Sequence, residues 1–239
     1  MAKFVLIHGG FFGGWCWKKV KAILENKQHT VYTPTLTGLG ERAHLNNPEI
    51  NVDTHSADIQ NFFFFEDLND VILVGHSYAG LILSALAAQM PNKIRHVIYL
   101  DALIPNTNES LLNLVDEATA VFFTNQAIQH GNGWLIPPIQ IVEPAFSESD
   151  LAWCQARVTG QTLASFSQKV VFDENASNRI TKTFIHCSKN PHPTLLAMKE
   201  RAQKKGWNSY EIISGHFPMI EQPEQLSDLL IKLGTHGQR

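Results

Sequence analysis

Short apolar runs alternate with longer mixed segments along most of the chain, and this alternation predicts an α/β sheet that is mostly parallel. The runs are rich in β-branched and aromatic residues without polar alternation, which is typical of strands buried on both faces of a parallel sheet. The segments between them carry apolar residues at helical spacing, so helices should connect the strands in right-handed crossovers. The predicted strands are 4–7, 30–32, 71–74, 97–100, 183–186 and 210–213, and the predicted helices are 15–27, 78–90, 195–205 and 223–233.

One long segment breaks this rhythm. Between residues 105 and 173 the strand signals stop, and prolines alternate with helix-compatible pieces at 109–123 and 149–158. Long loops without secondary structure are uncommon in compact domains and are usually functional. We therefore predict that residues 1–104 and 174–239 form the core and that residues 105–173 form a helical cap over the sheet. The alternative is an irregular connection of ordinary elements.

The strongest chemical signal is a serine between an apolar strand and an apolar helix. Residues 71–80 read VILVGHSYAG and continue into a helix rich in Ala and Leu. This is the strand–turn–helix context of a nucleophile elbow, in which the turn requires small neighbours. Gly75 and Ala79 supply them, although Ala79 departs from the last glycine of G-x-S-x-G and Gly80 follows one step later. We predict Ser77 as the nucleophile, against the alternative of an ordinary turn serine.

Backbone amides on two turns are candidates for stabilising an oxyanion. The helix after Ser77 presents free N–H groups and its positive dipole end, so the amide of Tyr78 is one predicted donor. The second donor should come from the turn after the first strand, HGGFFGG at 8–14, where either Gly10 or Phe11 is the candidate. The alternative is a flexible glycine loop, and His8 is predicted to be a structural residue of that turn.

A histidine follows the last predicted strand, where this topology places the catalytic base. The residues after that strand are Ser214, Gly215 and His216, and His216 is the only one of the eleven histidines at this place. The nucleophile then precedes the base along the chain, as the fold requires. We predict His216 as the general base.

Further segments match one enzyme group. They read IHGG at 7–10, WCW at 15–17, LTGLGER at 36–42, GHS at 75–77, LDA at 100–102, and GH at 215–216 with Met219 and Pro223. In these segments the chain resembles the hydroxynitrile lyase and methylesterase group of the α/β-hydrolase superfamily, and more closely its bacterial esterase-like branch. The resemblance covers most of the predicted core, while the cap matches loosely, and it implies the α/β-hydrolase fold.

The catalytic acid is the open question of the sequence. In the group that the chain resembles, the acid commonly follows the next-to-last strand, but residues 185–191 read IHCSKNP and hold no carboxylate. Asn190 or Ser188 could orient the histidine as a neutral group. Asp101 follows the preceding strand at the same edge of the sheet, where active sites of open α/β sheets gather. We favour Asp101 because a carboxylate stabilises the imidazolium that forms in the reaction; its alternative role is to cap a helix or hold the cap loop.

The residues around the candidates favour ester hydrolysis. A serine nucleophile argues against dehalogenases and epoxide hydrolases, which use an aspartate in this fold. The resemblance implies that members of the lyase branch have Thr in the first turn and Lys directly after the histidine. At these two places this chain has Gly9 and Phe217. The prediction is a carboxylesterase that acts through an acyl-enzyme, without cofactor or metal. Two alternatives stay open: a ligand receptor of the same fold with weak or no turnover, and a C–C hydrolase or lyase.

Aromatic side chains predict an apolar substrate pocket. Taken singly, each of them is more often a core residue than a ligand contact, but together they favour an ester with a hydrophobic or aromatic part. The predicted lining residues are Phe11, Phe12, Trp15, Leu103, Phe122, Phe123 and Trp134.

Composition narrows the partners and the location. The net charge of −3 is spread over mixed charges, so no basic block indicates nucleic-acid binding. No apolar stretch approaches the roughly 18 residues of a membrane span, and the run at 4–7 is too short for a signal peptide. The three cysteines show no metal or disulfide spacing and fit a reducing compartment. We expect a cytoplasmic protein, either a monomer or a homodimer, whose partner is a small-molecule ester.

Overall fold

The computed structural model describes residues 1–235, and within them a six-stranded parallel sheet forms the centre of the protein. Each predicted strand is present, and the largest difference is at β4, which begins at residue 94 rather than 97. Residues 236–239 of the predicted core lie outside the described part. The strands are β1 (Lys3–Ile7), β2 (Thr30–Tyr32), β3 (Val71–His76), β4 (Ile94–Leu100), β7 (Thr181–Cys187) and β8 (Asn208–Ile212), and a separate pair is formed by β5 (Leu135–Ile136) and β6 (Gln161–Thr162).

The strand order is β2–β1–β3–β4–β7–β8, with every neighbouring pair parallel. All residues of β3 are buried, and so are those of β1 after Lys3. This burial explains why both strands read as continuous apolar runs, because helices cover a parallel sheet on both faces.

Helices of the core pack in two groups around the sheet. The helix α1 contacts α11, while α3 contacts α2 and α8. The predicted helix 15–27 is divided, since residues Gly14–Trp17 form a 3-10 turn before α1 begins. The core helices are α1 (Lys18–Asn26), α2 (Val52–Phe65), α3 (Ala79–Gln89), α8 (Glu174–Ser177), α9 (Pro193–Lys204), α10 (Pro218–Glu221) and α11 (Pro223–Thr235).

Four helices and the β5–β6 pair make up the segment 105–173. The helices are α4 (Leu111–Leu114), α5 (Glu117–His130), α6 (Glu148–Gln155) and α7 (Leu163–Ser167). The sequence did not predict β5 and β6, because strands of two residues are too short to show an alternating pattern. The amide of Thr159 donates to the carbonyl of Phe11, and Lys19 pairs with Asp150 at 2.7 Å. The segment therefore rests on the turn after β1, and its independence as a cap stays a prediction.

The strand order brings two turns together at one edge of the sheet. The chain runs from β1 outward to β2 and then returns to β3 on the other side of β1, which makes the gap between β1 and β3 a topological switch point. Ligand sites of open α/β sheets lie at the carboxyl ends of strands at such points. The register pairs Ile7 with Gly75, so the glycine turn after β1 lies beside the turn that holds Ser77. No helix within residues 1–235 is both long and apolar enough to span a membrane.

Candidate active site

Ser77 occupies a strained turn between β3 and α3. Its φ of 54° lies in the left-handed region, which is costly for a residue with a side chain and is frequently found at functional sites. The carbonyl of Ser77 accepts hydrogen bonds from the amides of Gly80 at 3.1 Å and Leu103 at 3.0 Å, which hold the turn. A Cβ at Gly80 would overlap the carbonyl of Leu103. Gly80, one position after the last glycine of the G-x-S-x-G pattern, is therefore needed where α3 passes the loop after β4.

His216 and Asp101 are in direct contact. The Nδ1 atom of His216 lies 2.8 Å from Oδ2 of Asp101, and the aspartate is fully buried. Its other oxygen, Oδ1, accepts the amide of Cys187 at 3.2 Å. The backbone of Asp101 is held as well, because its amide donates to Ile185 at 2.8 Å. The carboxylate is thus fixed in a position where it accepts the Nδ1 proton of the histidine.

The two neutral candidates take other roles. Asn190 donates its side-chain amide to Oδ2 of Asp101 at 2.7 Å and lies 3.2 Å from Nδ1 of His216. An Nδ1–H that donates to Asp101 has no lone pair left for Asn190, so the amide supports the carboxylate rather than the ring. The hydroxyl of Ser188 donates to the carbonyl of Ile212 at 3.3 Å instead.

The surroundings of Asp101 keep it ionised. Burial by itself would raise the pKa of this carboxyl, but polar contacts with His186, His216 and Asn190 outweigh it and hold the pKa well below its usual range. A negative charge at this point favours the protonated form of the His216 ring.

The backbone amides of Gly10 and Tyr78, both predicted oxyanion donors, meet no acceptor among residues 1–235. The amide of Phe11, the other candidate of the first turn, donates to Oε1 of Gln161 at 2.9 Å. The side chain of Tyr78 is buried, and its hydroxyl contacts Nδ1 of His55 at 2.7 Å.

Gly9 provides the space in front of the serine. A Cβ at this position would lie 2.8 Å from Nδ1 of His76 and 3.1 Å from Cβ of Ser77. A side chain there would have to push these groups apart, so the turn after β1 approaches the serine only because residue 9 is glycine.

A cavity of about 400 Å³ opens at Ser77 and His216. Of the predicted lining residues it contains Phe11, Phe12, Leu103 and Phe123. The segment 105–173 supplies much of the remaining wall. The other lining residues are Gly9, Gly10, His76, Leu111, Val115, Thr119, Ile139, Gln140, Ile141, Val142, Glu143, Phe166, Asn190, His192, Thr194, Leu195 and Phe217.

Three predicted lining residues lie elsewhere. Phe122 is about half exposed, because it neighbours Phe123 on α5 and successive helical residues point about 100° apart. Trp15 stacks behind Phe12 with ring centroids 5.1 Å apart, so Phe12 separates it from the cavity. Trp134 belongs to the turn after α5, where its carbonyl accepts the amide of Leu163.

Two polar residues that form hydrogen bonds with the backbone of His216 were not predicted. His76 donates from Nε2 to the carbonyl of His216 at 2.7 Å, and burial keeps the pKa of His76 well below its usual value. Glu143 accepts the amide of His216 at 3.1 Å. His76 lies inside the nucleophile motif and could have been considered on that ground. No local pattern marks Glu143, which meets the histidine loop only through the path of the segment 105–173.

Comparisons with known proteins show the family and the fold of the chain. The profile of the alpha/beta hydrolase family matches residues 4–229. The carbendazim hydrolyzing esterase of Nocardioides sp. (strain SG-4G) is 34% identical over 98% of this chain and 100% of that protein. Methylesterase 3 of Arabidopsis thaliana is 25% identical over 97% of this chain and 95% of its own length. An extracellular alpha/beta-hydrolase from a Paenibacillus species has a similar structure, with a TM-score of 0.84 at 20% identity, covering 98% of this chain and 100% of that one.

Proposed function

The chain belongs to the alpha/beta hydrolase family, and we propose that it is a serine carboxylesterase with Ser77, His216 and Asp101 as its catalytic triad. The observation that carries the proposal is the contact of 2.8 Å between His216 and a buried, ionised Asp101, at the same sheet edge as a strained serine. Similarity to proteins named as esterases supports the reaction class.

The proposed mechanism follows from the tautomer of the histidine. With the proton of His216 on Nδ1 and donated to Asp101, Nε2 is left as the acceptor for the Ser77 hydroxyl proton. Ser77 then attacks the ester carbonyl, and His216 returns the proton to the leaving alcohol. A water molecule, activated by the same base, releases the acid from the acyl-enzyme.

Gly10 and Tyr78 are our candidates for the oxyanion hole. Both amides lack an acceptor within residues 1–235, while the amide of Phe11 is used by Gln161. Two preorganised donors would stabilise the negative oxygen of the tetrahedral intermediate. We therefore choose Gly10 over Phe11 as the donor from the first turn.

The alternative functions receive less support from the site. The lyase branch of the group that the chain resembles has Thr in the first turn, at the place of Gly9, where even a Cβ would lie 2.8 Å from the His76 ring. The absence of a carboxylate directly after β7 would favour the receptor hypothesis, but Asp101, directly after β4, contacts His216 and can serve as the acid. Both observations favour hydrolysis of an ester.

The substrate proposed for this cavity is a small ester with an apolar part. The aromatic walls formed by Phe11, Phe12, Phe123 and Phe166 favour such a group. The cytoplasmic location and the homodimer stay predictions; the three cysteines are free and buried, which is compatible with a reducing compartment.

Labelling with a fluorophosphonate tests the nucleophile directly. We expect one label per chain, on the peptide that contains Ser77, and hydrolysis of a short p-nitrophenyl ester that Ser77→Ala abolishes together with the label. Ser188→Ala is the matched control, because this serine lies close to the proposed triad and its hydroxyl donates to the carbonyl of Ile212 rather than to a triad residue. Labelling that persists in Ser77→Ala would remove Ser77 from the role, and a labelled protein that turns over no ester would favour the receptor.

A further inference from the structure

One acidic side chain lines the cavity without a cation beside it. Glu143 accepts hydrogen bonds from the uncharged amides of His216 at 3.1 Å and Ala145 at 3.4 Å. Among residues 1–235 no Lys or Arg forms an ion pair with it. Its carboxylate also fills the space that a side chain at Gly215 would take, so it is seated on the loop that carries the base.

Other acidic groups surround the same loop and add to the negative potential. Asp101 contacts the ring of His216, and Glu221 accepts the amide of Gly215 at 2.9 Å and the hydroxyl of Ser214 at 3.0 Å. Of these acids only Glu143 lines the cavity, and the described lining residues include neither Lys nor Arg. Histidines are the only lining residues able to carry a positive charge.

We propose that Glu143 selects substrates by charge, so that the cavity takes neutral and cationic esters and disfavours esters with an additional carboxylate. This inference deepens the proposed esterase function and names the substrate class of that site. A carboxylate at the wall of an apolar cavity interacts more strongly with a charged ligand than it would in bulk water. It attracts a cationic group and repels an anionic one.

The same charge acts on the products. Hydrolysis of a neutral ester creates a carboxylic acid that ionises, and the new carboxylate then shares the cavity with Glu143. Repulsion between them favours departure of the acid, whereas the neutral alcohol is unaffected. Weak inhibition by the acid product is therefore expected in the protein and stronger inhibition in Glu143→Gln.

The test uses three phenyl acetates that differ only in the para substituent: tert-butyl, trimethylammonio and carboxylate. The first two have nearly the same shape, and comparing protein variants cancels the intrinsic reactivity of each ester. Glu143→Gln keeps an oxygen acceptor for the amide of His216 and removes only the charge. Glu148→Gln is the matched control, because Glu148 is an exposed acid on α6 that does not line the cavity.

Relative to the tert-butyl ester, Glu143→Gln should lower kcat/KM for the trimethylammonio ester and raise it for the carboxylate ester, each by roughly threefold or more. The control should leave both ratios unchanged. The effect should shrink when ionic strength rises from about 0.05 M to about 0.5 M, as screening requires and a change of shape would not. Ratios that are the same in the protein and in Glu143→Gln would overturn the proposal.

Binding separates this inference from the proposed function. Dissociation constants of the same esters are measured on Ser77→Ala with and without Glu143→Gln, so that turnover is not needed. If the dissociation constants show a charge preference that depends on Glu143, the inference is supported, whether or not the unmodified protein hydrolyses the esters. If the unmodified protein hydrolyses none of them, that result rejects only the proposed esterase function. Equal dissociation constants in the two variants reject the inference even if all esters are hydrolysed.

Discussion

Oδ2 of Asp101 lies 2.8 Å from Nδ1 of His216, although the aspartate follows β4 and the histidine follows β8. The strand β7 lies between them in the sheet. Asp101 reaches past it because its backbone turns at a φ of 43° directly after β4 and its carboxylate is held by the amide of Cys187. A carboxylate that follows β4 rather than β7 can therefore still contact the histidine that follows β8.

Replacing Asp101 by Asn should lower kcat by about a hundredfold or more, because it keeps the shape and removes the charge that stabilises the imidazolium. Steady-state kinetics with a p-nitrophenyl ester measure the change. Asn190→Ala is the control and should cost far less, since Asn190 supports Asp101 and does not replace it. The reverse order of the two effects would transfer the role to Asn190.

Replacing His216, the proposed base, should lower kcat more than replacing Asp101. His216→Ala should reduce kcat by at least roughly a thousandfold, because the members of a triad act as a unit. The matched control is His192→Ala, which removes another cavity-lining histidine and should change kcat little. A loss below tenfold in a folded His216→Ala protein would contradict the assignment; circular dichroism establishes the fold.

The segment 105–173 should be cleaved before the sheet core in limited proteolysis. It lines the cavity from one side, and apart from α5 it holds prolines and helices of at most eight residues, so its local opening should need less free energy than that of the parallel sheet. An apolar active-site inhibitor should slow the cleavage, as shown by mass spectrometry of the fragments. Equal cleavage rates in the segment and the core, with and without inhibitor, would argue against a mobile cap.

Acid should destabilise the protein already between about pH 6.5 and pH 4. Burial lowers the pKa of His8 to about 4 and that of His55 to about 4, so both rings stay neutral in the folded protein. The unfolded chain binds these protons near the ordinary pKa of roughly 6.5. The free energy of unfolding therefore falls as pH falls through this window, by about 2 kcal/mol per histidine down to about pH 5. Asp101 contributes to the pH dependence at lower pH. Its pKa is depressed in the folded protein, so the stability that its ionised form provides is lost only below about pH 4, where the unfolded chain takes up the proton.

Urea unfolding at pH 7 and pH 5 measures this dependence. His55→Gln keeps a donor and an acceptor for Thr37 and Tyr78 but takes up no proton, so its stability should change less between the two pH values. His130→Gln, at the exposed end of α5, should leave the dependence as it is in the unmodified protein. An identical loss of stability in His55→Gln and the unmodified protein would contradict the prediction.

Local patterns in the sequence were sufficient to predict the strands of the sheet and the turns that carry Ser77 and His216, whose catalytic roles stay predictions. The runs that became β1 and β3 are apolar because both faces of the sheet are covered, and this requirement is visible along the chain. Both residues follow a strand: Ser77 lies after β3 between the small residues Gly75 and Ala79, and His216 lies after β8 and directly after Gly215. In both cases the decisive constraint acts within a few residues of the residue itself.

The tertiary structure decided what depends on contacts between distant segments. The carboxylate of Asp101 reaches Nδ1 of His216 because of the strand order and the path of the loop after β4. Gln161 removes the Phe11 amide as a candidate donor, and it does so from 150 residues away. The rotation of α5 turns Phe123 into the cavity and Phe122 out of it, and the path of the segment 105–173 sets Glu143 on the histidine loop. Such contacts leave no periodic trace in the sequence, because they are set by packing across the fold rather than by the conformation of neighbouring residues.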